Sequence, residues 1–95
     1  MNTPEFTSIQ HRTVGDWNFC TRNPAEFQSN GRFSTTKALR TVASMNDDIT
    51  RKQFIEILSW IGLNANTVAK QFAQSRAFDV KMYGKTLNAD GTLSR

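Results

Sequence analysis

With a single cysteine, Cys20, in 95 residues, no internal disulfide can hold this fold. A lone thiol fits a reducing cytoplasm. No basic or histidine neighbour in the sequence activates it, so beside Phe19 it reads as a small, half-buried side chain. His11 is the only histidine. One Cys and one His cannot close a zinc site, and no glycine-rich phosphate loop is present, so neither a metal nor a cofactor is expected. His11 has no carboxylate pair nearby, and Asp47-Asp48 reads as a helix-end turn rather than a catalytic pair. Catalysis is therefore not expected. No apolar run approaches the roughly 20 residues that a membrane helix needs. The opening MNTPEFTSIQHR lacks a basic stretch followed by an apolar one, so no signal peptide is expected. Repeats and low-complexity segments are missing too.

What is there suits one small globular domain. Hydrophobic residues make up 38% and charged residues 21%, a balance of folded rather than disordered chains. A core of this size is modest, and dimerisation is a natural supplement. The net charge of +4 is unevenly placed. Up to position 50, Arg12, Arg22, Arg32, Lys37 and Arg40 cancel Glu5, Asp16, Glu26, Asp47 and Asp48. Beyond it, Arg51, Lys52, Lys70, Arg76, Lys81, Lys85 and Arg95 outnumber Glu56, Asp79 and Asp90. A basic half points to an anionic partner, most often nucleic acid.

Residues 1–33 are rich in turn formers and aromatics. Trp17 and Phe19 lie two apart, on one side of an extended segment over Thr13–Thr21. Asn23-Pro24 and Ser29-Asn30-Gly31 are turn signals, and Pro24–Phe27 suits a single helical turn capped by Asn23. This region reads as an irregular or short-stranded arm packed on the remainder, residues 34–95. There, Ser34 caps a helix running from about Thr35 to Asn46, with Ala38, Leu39, Val42 and Met45 as its apolar stripe. Thr50 and Gln53 form a capping box for a second helix, about Arg51 to Ile61. Phe54, Ile55, Ile57, Leu58, Trp60 and Ile61 make most of its circumference apolar, as expected of a central helix. Gly62 ends it, and Asn64 caps a third helix from Ala65 to about Arg76 or Phe78. Phe78, Val80 and Met82 then alternate with Asp79, Lys81 and Tyr83 in a strand pattern. Asn88-Ala89-Asp90-Gly91 signals a hairpin.

The segment Phe54–Ala73, FIEILSWIGLNANTVAKQFA, resembles the helix-turn-helix of small bacterial and phage DNA-binding regulators. Gly62 matches the turn glycine. Leu63 matches the buried residue after it, Val68 the buried position of the second helix, and Leu58 the close approach of the first. The segment departs from the pattern in two places: Leu58 stands where a small residue is usual, and Phe72 stands where the apolar residue is expected nearer Gln71. The resemblance implies a mainly α fold: a three-helix helix-turn-helix core with a C-terminal β-hairpin wing.

A helix entering a major groove roughly 12 Å wide needs a sharp turn, an apolar lock to its brace and outward side chains that pair with base edges. The expected base-reading set is Asn64, Asn66, Thr67, Lys70, Gln71 and Gln74. Expected backbone contacts are Arg51, Lys52, Arg76, Lys81 and Lys85. Lys37 and Arg40 read as solvated. The expected function is a sequence-specific double-stranded DNA binder working as a homodimer, a transcriptional regulator of phage or mobile-element type, cytoplasmic and nucleoid-associated. A second reading is a protein-interaction module gripping a host protein through Phe6, Trp17, Phe19, Phe27 and Phe33. A third is single-stranded nucleic-acid binding by stacking on Trp17, Phe19 and Tyr83.

Overall fold

Thr7 accepts a hydrogen bond from the Gln10 amide, and the Gln10 side chain accepts one from the Thr7 amide. This capping box starts a helix, α1, over Ser8–Arg22, in place of the expected extended arm. The computed structural model describes residues 7–95, so Phe6 lies outside the described residues. Helix wins in this segment because Ile9, Thr13, Trp17 and Cys20 fall at three- and four-residue spacing and pack on the core. That burial outweighs the strand preference of Trp17 and Phe19. Thr13, β-branched and fully buried, satisfies its hydroxyl on the Ile9 carbonyl at 2.8 Å.

A 3-10 turn, Pro24–Phe27, follows. Strands β1 (Gln28–Ser29) and β2 (Arg32–Phe33) pair antiparallel. They are joined by Asn30 and Gly31 at φ 55° and 78°, the pair of positive angles a tight two-residue hairpin needs. Helix α2 spans Thr35–Ser44 with Ser34 as cap, and α3 spans Arg51–Trp60 with the Thr50–Gln53 box formed in both directions. Helix α4 runs from Ala65 to Tyr83, so the expected strand over Phe78–Tyr83 is its last turns. It closes at Gly84, φ 65°. Strands β3 (Thr86–Leu87) and β4 (Leu93–Ser94) form the closing hairpin.

Among the described residues the chain is thus mainly helical, with two small hairpins. Helix α4 packs on α2 and α3, and α1 packs on the same two helices. The core between them is built from Leu39, Val42, Ile49, Phe54, Ile57, Leu58, Val68 and Phe72. Cys20 belongs to it, and burial pushes its thiol up from the ordinary value, leaving it mostly protonated and inert.

Polar groups tie the layers together. Asn46 is fully buried. It accepts from Arg12 Nε at 2.7 Å and donates to Asp16 and to the Val42 carbonyl. Arg12 also pairs with Asp48, and this hydrogen bond holds the Asp48 carboxyl below the ordinary carboxylate value. A depressed acid adds stability above its unfolded value near 4, and that stability is lost as pH falls through the lower folded value. Both side chains are about half exposed, so the effect is small. Asp48→Asn should cost about 0.5 kcal/mol at pH 7, and the difference from the parent should vanish at pH 2. Urea melts at the two pH values check it.

Candidate functional site

Asn64 Oδ1 accepts from the amides of Asn66 and Thr67 at 3.0 and 3.2 Å. Two of the unpaired donors that begin α4 are thereby satisfied. The oxygen of Asn64 is committed to this cap, which corrects its assignment as a full base-reading side chain.

Downstream, Val68, Phe72, Ser75, Arg76 and Asp79 form the buried side of α4. The opposite stripe is exposed and holds Asn66, Lys70, Ala73, Ala77 and Lys81, with Thr67 and Gln74 exposed on its flank. The sole carboxylate of α4, Asp79, is buried and accepts from the Ser44 hydroxyl at 3.2 Å. The outer side of this helix, about 28 Å long, therefore presents cations and amides without an acid. Ala73 and Ala77 keep it low enough for close approach.

Three further assignments are corrected. Gln71 is 7% exposed. It turns inward beside Phe72 and accepts from Arg40 Nε at 2.9 Å, so it cannot reach a base edge. Arg76 is 1% exposed. Its guanidinium donates to the carbonyls of Gly91, Ala43, Asn46 and Ile49 at 2.8–3.1 Å and lies 4.5 Å from the Phe72 ring centre. Four of its five N–H donors are used in this way, and Asp47 stands 4.0 Å from Nη1. Lys85 is held 2.5 Å from Asp47, which neutralises it. The expected basic hairpin is likewise absent: Lys81 belongs to α4, and Thr86–Ser94 contains no Lys or Arg.

Arg51 and Lys52 are exposed at the start of α3. There the Arg51 amide already donates to the Asp90 carbonyl at 2.9 Å. The tip of the β3–β4 hairpin thus covers part of this helix start.

Sequence reading missed Arg40 and Lys37. Arg40 Nη2 also donates to Gln74 Oε1, so α2 places this guanidinium against the flank of α4. Lys37 lies one turn earlier. Both border a groove of about 940 Å³ between the β1–β2 hairpin, α2 and α4. The one signal in the sequence was their three-residue spacing on a helix whose opposite side is apolar.

The expected aromatic partner surface is largely core. Phe27 is buried. Trp17 and Phe33 meet edge to face at 6.3 Å, and Phe19, half exposed, meets Phe27 the same way. Other exposed large apolar side chains stand elsewhere, at Met45, Trp60, Phe78, Val80, Met82, Tyr83 and Leu87. No three His, Cys, Asp or Glu residues among those described come together as metal ligands. No helix among the described residues is long and apolar enough to cross a membrane. No family model matches the chain, and no curated protein or solved structure matches it.

Proposed function

We propose that this protein is a sequence-specific double-stranded DNA binder, a small regulator in which α3, the Ile61–Asn64 turn and α4 act as a helix-turn-helix. The observation that carries the reading is the acid-free outer side of α4, where Asn66, Thr67, Lys70 and Gln74 stand exposed on a capped helix. Lysine pairs with guanine, Asn and Gln pair with adenine, and Thr meets a thymine methyl. Gly62 at φ 107° and the Leu63 amide on the Leu58 carbonyl make the turn abrupt. Leu58, Val68 and Phe72 lock the two helices together.

Arg51, Lys52 and Lys81 supply backbone contacts, and the β3–β4 hairpin braces α3 instead of reaching the duplex. A homodimer would place two copies of α4 about one DNA turn apart. Selection from random duplex DNA should then return a palindrome with half-sites about 10 base pairs apart. Lys70→Ala should weaken binding to the selected site about tenfold or more, with an unchanged melting temperature. Failure to enrich any sequence sinks the reading.

A second reading, a protein-interaction module, is favoured by one observation. Phe78, Met82 and Tyr83 are 55%, 58% and 68% exposed on the last turns of α4, the kind of aromatic anchors that interfaces use. Met82→Ala combined with Tyr83→Ala should leave duplex binding intact under the first reading and remove partner binding under the second. Single-strand stacking has less support, since Trp17 is already packed against Phe33.

A further inference from the structure

The groove between the β1–β2 hairpin, α2 and α4 continues the flank of α4 that carries Gln74. We infer that this groove holds the sugar–phosphate backbone of one DNA strand, with Lys37 and Arg40 on its phosphates, and that Arg40 moves from Gln74 to phosphate as Gln74 engages a base. The inference rests on the DNA reading above and adds the strand-tracking surface that Arg76 and Lys85 do not provide.

Charge comes first. Lys37 and Arg40 form no ion pair among the described residues. Arg40 donates only to the neutral amides of Gln71 and Gln74. No acidic residue lines the groove, and hydroxyls of Ser29, Thr36 and Thr41 do. Two cations, hydroxyl donors and no anion make a surface for a chain of anionic oxygens. The groove runs directly into the proposed base-reading stripe, as a backbone beside a docked helix must.

The hydrogen bonds then couple backbone to base. Gln74 Oε1 accepts from Arg40, which ties that oxygen to α2. Reading adenine uses both the oxygen and the nitrogen of a glutamine, so Arg40 has to release that oxygen. A phosphate is the stronger acceptor for a guanidinium, because its bonds are charge-assisted and two-pronged. Arg40 Nε keeps its bond to the buried Gln71, so the guanidinium pivots without leaving the site.

The test measures affinity against salt for the selected duplex and for an unrelated one, using the parent, Lys37→Ala, Arg40→Ala, Arg40→Lys and Gln74→Ala. Lys37→Ala and Arg40→Ala should each lower the salt slope by about 0.9, the loss of one phosphate contact. Arg40→Lys keeps the charge and should keep the slope. Arg40→Ala removes the group that holds the Gln74 oxygen and should keep or sharpen discrimination at the base that Gln74 reads, and adding Gln74→Ala should then abolish it. A role confined to bracing Gln71 would lower the melting temperature of Arg40→Ala and leave the slope alone. That result, or slopes unchanged in both alanine variants while the parent still selects a site, overturns this inference alone. A parent that binds poly-glutamate and no duplex overturns the DNA reading and this inference together.

Discussion

Arg76→Ala should melt roughly 15–30 °C below the parent. The arginine donates to four carbonyls: Ala43 at the end of α2, Asn46 and Ile49 in the α2–α3 connection, and Gly91 in the closing hairpin. Removing it takes the arginine partner from the Ile49 and Gly91 carbonyls in a site with little water, while those of Ala43 and Asn46 keep the backbone amides of Asn46 and Ile49, at about 1–3 kcal/mol for each group that stays unsatisfied. It also deletes the guanidinium stacked on Phe72. A net loss of about 4 kcal/mol is expected, and each kcal/mol moves the midpoint of a domain this size by about 4–8 °C. Such a loss is a large share of the roughly 5–15 kcal/mol that a domain possesses.

Burial pulls the guanidinium below its ordinary value, while Asp47, Asp79 and Asp48 pull it back up. Asp47 stands 4.0 Å away. The charge is therefore embedded in a net of carbonyls with acids around it. Arg76→Met keeps the stem but none of the donors, and it should fall nearly as far. A calorimetric or circular-dichroism melt decides the matter. An Arg76→Ala protein with parental stability and impaired DNA binding would show that the side chain points outward after all.

Gly91→Ala should lower the midpoint by roughly 10–20 °C. A Cβ at this position would lie 2.8 Å from the Arg51 nitrogen, 2.9 Å from the Arg51 Cβ and 3.1 Å from Phe72 Cε2. The backbone there has φ 94°, where a residue with a Cβ is strained. Strain of about 1–2 kcal/mol adds to about 1–3 kcal/mol for forcing atoms into a packed site.

Gly84→Ala separates the two contributions. Its φ of 65° imposes the strain, but nothing lies within 4 Å of its Cβ, so it should cost only about 1–2 kcal/mol. If the two variants melt together, the hairpin does not press on α3. The contact matters beyond stability, because the hairpin tip sits over the start of α3, where Arg51 and Lys52 stand exposed. On the proposed DNA reading, pushing it away should shift those cations and weaken binding to duplex DNA.

Local signals proved legible where a hydrogen bond spans three residues or fewer. Ser34, the Thr50–Gln53 box and Asn64 each start the helix expected of them. Asn30-Gly31 makes its hairpin because those two residues tolerate positive φ. Helix α1 was hidden although its own capping box, Thr7 with Gln10, lies in plain sequence. Closely spaced aromatics read as a strand when their packing partners on α2 and α3 are unknown. The end of α4 misled for a related reason. Phe78, Val80 and Met82 alternate at period two, whereas the inward side of that helix is marked by Ser75, Arg76 and Asp79, polar residues that pattern reading places outside.

The sequence by itself determined a mainly helical chain, the starts of α2, α3 and α4 and the basic character of its second half. Those properties follow from composition and from bonds between near neighbours. Only the tertiary structure decided which of the basic and amide side chains remain available to a partner. Arg76 went inside because four carbonyls converge there, Gln71 because Arg40 crosses the flank of α4, and Lys85 was neutralised because Asp47 lies against it. Lys70, Asn66 and Gln74 kept their exposure, and Lys37 and Arg40 joined them. A side chain's partners come from elements 15 to 38 residues away, and no pattern along the chain encodes a meeting that depends on how the helices pack.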